Sequence, residues 1–252
     1  MESYATAQQV FAAGLVFARL GAIVMLIPGI GETFIPPRIR LAFALALTLM
    51  LLPVVGRAPA LPADASGLGL AVIKEALIGL MIGGILRLFM SSLASAGEII
   101  SIQISLSFAQ TANPMQAQPS TTVSTFLGMI GIVLIFATNL HHMFVAAVAQ
   151  SFELFPFTRD VPVNDAAQLA IQTVGKSFAL GLQLAAPVVV FSLIFNIATG
   201  LVGRVMPQFQ VFFVATPLSL LLGLSVFALS LGVMGMVWID RYRELVGMFA
   251  PS

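Results

Sequence analysis

The stretch VFFVATPLSLLLGLSVFALSLGVMGMVW, Val211–Trp238, contains no charged residue. About 20 consecutive apolar residues are enough for a helix to cross the roughly 30 Å hydrocarbon core of a bilayer. The stretch is therefore predicted to form a membrane helix. Pro217, which interrupts its backbone hydrogen bonding, predicts a kink within that helix.

Five further apolar segments precede this one. They cover residues 7–27, 39–55, 68–90, 123–148 and 174–198. The second is short, which predicts a tilted or incomplete span. The fifth contains Pro187, which predicts another kink.

The composition supports a membrane protein. Of the 252 residues, 59% are hydrophobic and only 8% are charged, whereas soluble domains carry about 25% charged residues. The net charge of +1 gives no electrostatic case for nucleic acid as a partner. The absence of cysteine excludes disulfides, thiol catalysis and Cys-ligated metals. We expect an all-α integral-membrane protein of about six long helices, with residues 1–252 forming a single domain.

A polar stripe runs along the segment that follows residue 90. Its members fall at i, i+4, i+7, i+10 and i+14, on one helical face about 120° wide. They are Ser91, Ser95, Glu98, Ser101 and Ser105. Such a face suits an aqueous path, but small polar residues also suit close packing between membrane helices.

A neutral break, SLSFAQTANPMQAQPSTT at Ser105–Thr122, follows the stripe. It lies within a longer gap from Glu98 to Glu153 that contains no Asp, Glu, Lys or Arg. Irregular backbone at membrane depth is tolerated only where protein wraps it or where it lines a water-filled cavity. Stripe and break together favour the pore-lining interpretation over simple helix packing.

Isolated charges and small residues supply further expectations. Arg87 and Glu98 lie on one helical face but about 16 Å apart, so each needs a separate partner. Lys74–Glu75 is interpreted as a helix start at the membrane interface.

Gly79 and Gly83 form a GxxxG pattern, which predicts close helix packing. For His141–His142, packing is favoured over a metal site or a proton relay, because no third ligand lies nearby in sequence.

The motifs for catalysis are missing. The sequence contains no nucleophile motif, P-loop or dinucleotide fingerprint, so we expect no enzyme, no cofactor and no metal. An alternative function is a stand-alone secondary transporter or channel for a small solute, with Glu98, Arg87 and the serine stripe as its midplane site. Transporters of this kind show paired structural repeats, and no repeated half is visible here.

Most of the chain resembles one known family, the R component of the flagellar type III export gate (FliR family). The resemblance rests on Ala18–Pro53, Lys74–Leu88, Glu98–Gly128, Asn139–Pro156 and Gly203–Leu224. Its most specific parts are the R-x-x-P-Q pattern ending at Gln208 and the N-P pair in the neutral break. Injectisome export-gate proteins share the architecture.

The resemblance implies a non-enzymatic subunit of the bacterial inner membrane and the flagellar basal body. One R subunit would assemble with several FliP-type and FliQ-type membrane subunits into a helical, conical gate, its own helices arranged as hairpins against them and against membrane lipid. FliB-type and FlhA-type export proteins are further implied partners, and unfolded flagellar proteins would be the cargo.

The resemblance also implies roles for particular residues. The neutral break would be the central plug loop that closes the channel, and its expected plug residues are Ser107, Phe108, Gln110, Asn113, Pro114, Met115 and Gln116. Expected assembly contacts are Arg87, Arg204, Pro207 and Gln208, with Arg204 anchoring a helix start. One departure is the run Ile104–Phe108, where the family usually has a glycine before the Ser/Phe of the loop.

Overall fold

The computed structural model describes residues 7–55, 60–106, 121–157, 163–206, 208 and 210–249. Within those ranges the regular structure is helical and contains no strand, which confirms the all-α prediction. The helices are α1 (Ala7–Leu26), α2 (Pro37–Leu51), α3 (Ala65–Gln103), α4 (Thr122–Ala137), α5 (Leu140–Leu154), α6 (Val163–Val205) and α7 (Val211–Gly247).

Four helices are long and apolar enough to cross a membrane, namely α1, α3, α6 and α7. The number rises to five if the bent pair of α4 and α5 counts as one broken span. The expectation of a short second segment is confirmed, because α2 has only 15 residues.

The helix boundaries differ from the six predicted segments in two respects. The third and fifth segments belong to helices of 39 and 43 residues, so α3 extends beyond the third segment and includes every member of the serine stripe except Ser105. The fourth segment is two helices, because the chain breaks at Asn139, whose φ of 58° is left-handed. Asn visits that region more readily than most residues. α6 and α7 continue through Pro187 and Pro217.

The chain folds into two compact units, each assembled from segments that are distant in sequence. The first comprises residues 1–89, 136–174 and 242–252, and the second comprises residues 90–135 and 175–241.

In the first unit, α1 packs against the beginning of α3 through two glycines. A Cβ on Gly79 would collide with the carbonyl oxygen of Arg19 and lie 2.8 Å from the Cβ of Ala22. A Cβ on Gly83 would lie 2.9 Å from the Cβ of Leu26. Both helices therefore run in the same direction at this contact, and the close packing predicted from the GxxxG pattern is confirmed.

The second unit uses the same device between other helices. Gly97 of α3 lies directly against the backbone of Ser124 in α4. A Cβ added to Gly181 of α6 would lie 2.9 Å from the carbonyl oxygen of Ser92 in α3. The indole nitrogen of Trp238 in α7 donates to the hydroxyl of Ser92 at 3.2 Å. Small residues thus let four helix segments meet at short distance, and buried polar groups bond across them.

Candidate functional site

The beginning of α4 is held by a carboxylate of α3. The backbone N–H of Thr121 donates to Oε1 of Glu98 at 2.9 Å, and the hydroxyl of Thr121 accepts from the N–H of Ser124 at 3.2 Å. Thr121 is therefore the N-cap of α4, and Glu98 places negative charge at the positive end of that helix. This contact fixes the residue at which the chain leaves the predicted plug loop.

The end of α3 closes with a Schellman motif. The N–H of Leu106 donates to the carbonyl of Ser101 at 3.0 Å, and the N–H of Ser105 donates to the carbonyl of Ile102 at 3.2 Å. Ser105 has a φ of 64°, in the left-handed region where glycine is usual. This serine lies in the run Ile104–Phe108, where the resemblance described above led us to expect a glycine. The motif ends α3 at Ser105 and Leu106, the first two residues of the predicted plug loop.

The members of the serine stripe lie in different surroundings. Ser91 is exposed, Ser95 and Glu98 are half-buried, and Ser101 is fully buried with no hydrogen-bond partner for its hydroxyl among the described residues. A Cβ on Gly181 would lie 3.0 Å from the Cβ of Ser95, so this serine is used for helix packing. A pore-lining role for the stripe remains a prediction.

Ser105 also lines an uncharged groove of about 310 Å³ between α6 and α7 in the second unit. Its polar lining includes Ser105, Asn196, Thr199, Thr216 and Ser219. Asn196 donates to Ser192 at 3.3 Å, and Ser192 in turn donates to the side-chain oxygen of Gln103 at 3.1 Å. The groove therefore offers neutral hydrogen-bonding groups beside otherwise apolar helices.

The seven predicted plug residues and Pro207 lie outside the described residues. Gln208 is exposed. Arg204 is exposed in the last turn of α6 and so does not lie at the start of that helix, and its expected contact with a neighbouring subunit stays a prediction. Its charge lies at the negative end of a helix instead, where a cation is stabilising.

Arg87 and Glu98 have separate partners, as their spacing predicted. Nη1 of Arg87 lies 3.5 Å from the carbonyl of Gly31, and Nη2 lies 3.9 Å from a carboxylate oxygen of Glu32. Both distances are longer than a strong charged hydrogen bond. The Arg87 side chain remains 44% exposed, so it is available to a further anionic or carbonyl group.

The most completely buried charges were missed by sequence reasoning. Arg19 of α1 and Glu75 of α3 form an ion pair with Nη2 and Oε2 at 2.6 Å, both almost fully buried. Arg19 also donates to the carbonyls of Ser151 at 2.8 Å and Phe155 at 2.7 Å, and its guanidinium lies 4.2 Å from the ring centre of Phe152.

This pair corrects the interpretation of Lys74–Glu75 as a helix start, since α3 begins ten residues earlier than Glu75, at Ala65. The available signal was that Arg19 is the only charged residue of the first apolar segment and that Glu75 is the only acidic residue within the six segments. Such charges are costly in a membrane helix unless they find each other.

The two histidines contact aromatic neighbours. The His141 ring centre lies 5.3 Å from that of Phe136 and 4.2 Å from that of His142. Among the residues that the structure describes, no group of three His, Asp or Glu side chains could hold a metal.

Comparison with known proteins places these features in a family. Residues 10–245 match the model of the family described as "Bacterial export proteins, family 1". The chain is 62% identical to the flagellar biosynthetic protein FliR of Caulobacter vibrioides over 250 residues, which cover 99% of this chain and 100% of that protein.

The chain belongs to the FliR family. More distant FliR proteins agree with this membership. The identity to FliR of Escherichia coli K12 is 28%, covering 92% of this chain and 88% of that protein. The identity to FliR of Bacillus subtilis 168 is also 28%, covering 94% of this chain and 95% of that protein. This FliR-family chain is thus a multi-pass helical membrane protein of flagellar biosynthesis and export.

Proposed function

We propose that this FliR-family chain is a non-enzymatic subunit of the type III protein-export gate in the bacterial inner membrane. In this proposal, unfolded flagellar proteins pass through a channel that the chain helps to line. The neutral break, Ser105–Thr122, acts as the plug of the closed channel, with Phe108 and Met115 as its apolar seal. FliP-type and FliQ-type subunits complete the channel, and FliB-type and FlhA-type proteins meet it.

The observation that carries the plug proposal is the attachment of both loop ends to one part of α3. The Schellman motif ends the helix at Ser105, and two turns earlier on that helix Glu98 accepts the N–H of Thr121. An uncharged loop between two such attachments can be displaced without carrying a buried charge through the membrane. Because both ends of the loop are fixed to α3, a displaced loop would also return to its closed position in the channel.

The exposed apolar surface supports a partner made of protein. α6 has 43 residues, about 64 Å of helix, which is about twice the hydrocarbon thickness of a bilayer. Its exposed apolar residues extend from Ile171, 73% exposed, to Val205, 79% exposed. Lipid tails cover only about 30 Å of such a helix at a normal tilt. The remainder needs other subunits to cover it.

The test is deletion of residues 107–119 within the assembled gate. We expect the variant to assemble with its partner subunits in normal yield and to raise ion leak through the inner membrane, measured as loss of membrane potential in cells. Deletion of residues 57–59, in the connection between α2 and α3, is the matched control and should not raise leak. Intact-level leak in an assembled 107–119 deletion would refute the plug assignment.

A further inference from the structure

One face of α2 combines a cation with a row of exposed leucines. Arg38, Leu41, Leu45 and Leu49 recur at i, i+3, i+7 and i+11, which places them on one side of the helix. Arg38 is exposed, and the leucines are 46%, 47% and 72% exposed in that order. The face therefore has a charged head at the beginning of the helix and an apolar tail behind it.

Another side of α2, about 100° around the helix from the leucine row, is already used. Ala44, Thr48 and Leu51 are its buried residues, and α2 packs on α1 within the first unit. The leucine row is thus an outward surface of that unit and needs an apolar environment of its own.

The dimensions of this face match one leaflet of a bilayer. The helix has 15 residues, about 22 Å, and is not among the candidate membrane spans. From Arg38 to Leu49 the rise is about 16 Å, close to half of the roughly 30 Å hydrocarbon core. The length of this face is therefore that of a single acyl chain within one leaflet.

The charge balance favours an anionic group at the head. No described residue forms an ion pair or hydrogen bond with the Arg38 side chain. Its neighbour Arg40 reaches only the sulfur of Met25, at 3.8 Å, and its Nε is buried with no hydrogen-bond partner among the described residues. The acid in this region, Glu32, lies 3.9 Å from Arg87. Arg38 and Arg40 therefore have no carboxylate partner among the described residues.

We infer that α2 binds an anionic phospholipid. The headgroup phosphate pairs with the guanidinium of Arg38, and an acyl chain lies along Leu41, Leu45 and Leu49. Arginine suits this role because its planar donors match phosphate oxygens, and each basic residue near a membrane surface adds attraction for anionic lipid. The inference does not depend on the proposed plug, since it concerns a different helix and a different ligand.

The experiment is native mass spectrometry of the purified full chain titrated with dioleoyl phosphatidylglycerol or dioleoyl phosphatidylcholine. We expect tighter binding of the phosphatidylglycerol, weakened about five-fold by Arg38→Gln, and a smaller loss for phosphatidylcholine, whose phosphate charge is balanced by its own choline. Arg243→Gln, which removes an exposed arginine at the end of α7, is the matched control and should bind like the wild type. Equal losses in both variants, or none in Arg38→Gln, would overturn the inference.

The natural absence of cysteine allows a second test of the tail. A bimane probe on Leu45→Cys or Leu49→Cys should be quenched by phosphatidylglycerol with brominated acyl chains, whereas a probe on the exposed Asp64→Cys should not. If a neighbouring subunit covers this face instead, the assembled gate will show no quenching at Leu45 and Leu49. That result would overturn the lipid site and leave the export-gate proposal standing.

Discussion

At the scale of single residues, Arg19 shows how a membrane protein retains a buried charge. Its Nε donates to Glu75 at 2.7 Å, and its two terminal nitrogens donate to the carbonyls of Ser151 and Phe155 at the end of α5. The carbonyl of Phe155 lies at the C-cap of α5, where no further turn of helix can satisfy it, so Arg19 also caps α5. One side chain thereby joins α1, α3 and α5 in the first unit.

Glu75→Gln should therefore destabilise the protein strongly. Removing one partner of a buried ion pair leaves an uncompensated charge, at a cost of about 3–5 kcal/mol. We expect a clearly lower thermal midpoint in detergent and less monodisperse protein on size exclusion. Arg19→Lys should also destabilise, because one ammonium cannot replace donors directed at three acceptors. Asp64→Asn, at an exposed acid, should melt like the wild type, and a Glu75→Gln variant that did the same would contradict the structural role.

At the scale of elements, the ends of helices decide where the irregular segments begin. α3 runs through 39 residues and ends where Ser105 adopts a left-handed backbone. α4 begins where Thr121 and Glu98 satisfy its first N–H groups. The predicted neutral break, Ser105–Thr122, begins at this left-handed serine and ends at the first residue of α4, but the sequence did not predict the contacts that end one helix and begin the other.

Ser105→Gly should stabilise the protein. The left-handed conformation costs an L-residue about 1–2 kcal/mol, and glycine avoids that cost at the C′ position of a helix. We expect a higher thermal midpoint for Ser105→Gly and a lower one for Ser105→Val. Ser91→Gly, within the same helix, should have the opposite sign, a loss of about 0.5 kcal/mol. A destabilising Ser105→Gly would show that the serine hydroxyl matters more than the backbone.

At the scale of the whole molecule, the surface is too apolar for a lone chain. Only 8% of residues are charged, and exposed apolar side chains continue along helices longer than a bilayer is thick. Extended apolar surfaces of this kind mark sites of association with protein or lipid.

Native mass spectrometry should accordingly find one copy of this chain in a mixed particle when FliP-type and FliQ-type proteins from the same genome are expressed with it. The physical reason is burial of the excess apolar surface of α6, which drives association. A stable particle of this chain alone, unaffected by those proteins, would instead favour a stand-alone transporter. Substrate-dependent uptake by the purified chain would then be the deciding measurement.

The sequence by itself determined the membrane class, the helical character, the GxxxG contact and the resemblance to FliR. These features depend on local composition and on residues within a few turns of each other. Only the tertiary structure paired Arg19 with Glu75, 56 positions away, and Glu98 with Thr121, 23 positions away. It also separated α4 from α5 and buried Ser101 while exposing Ser91. The physical reason is that such pairings depend on which helix faces meet, and a hydropathy pattern specifies a face without specifying its partner.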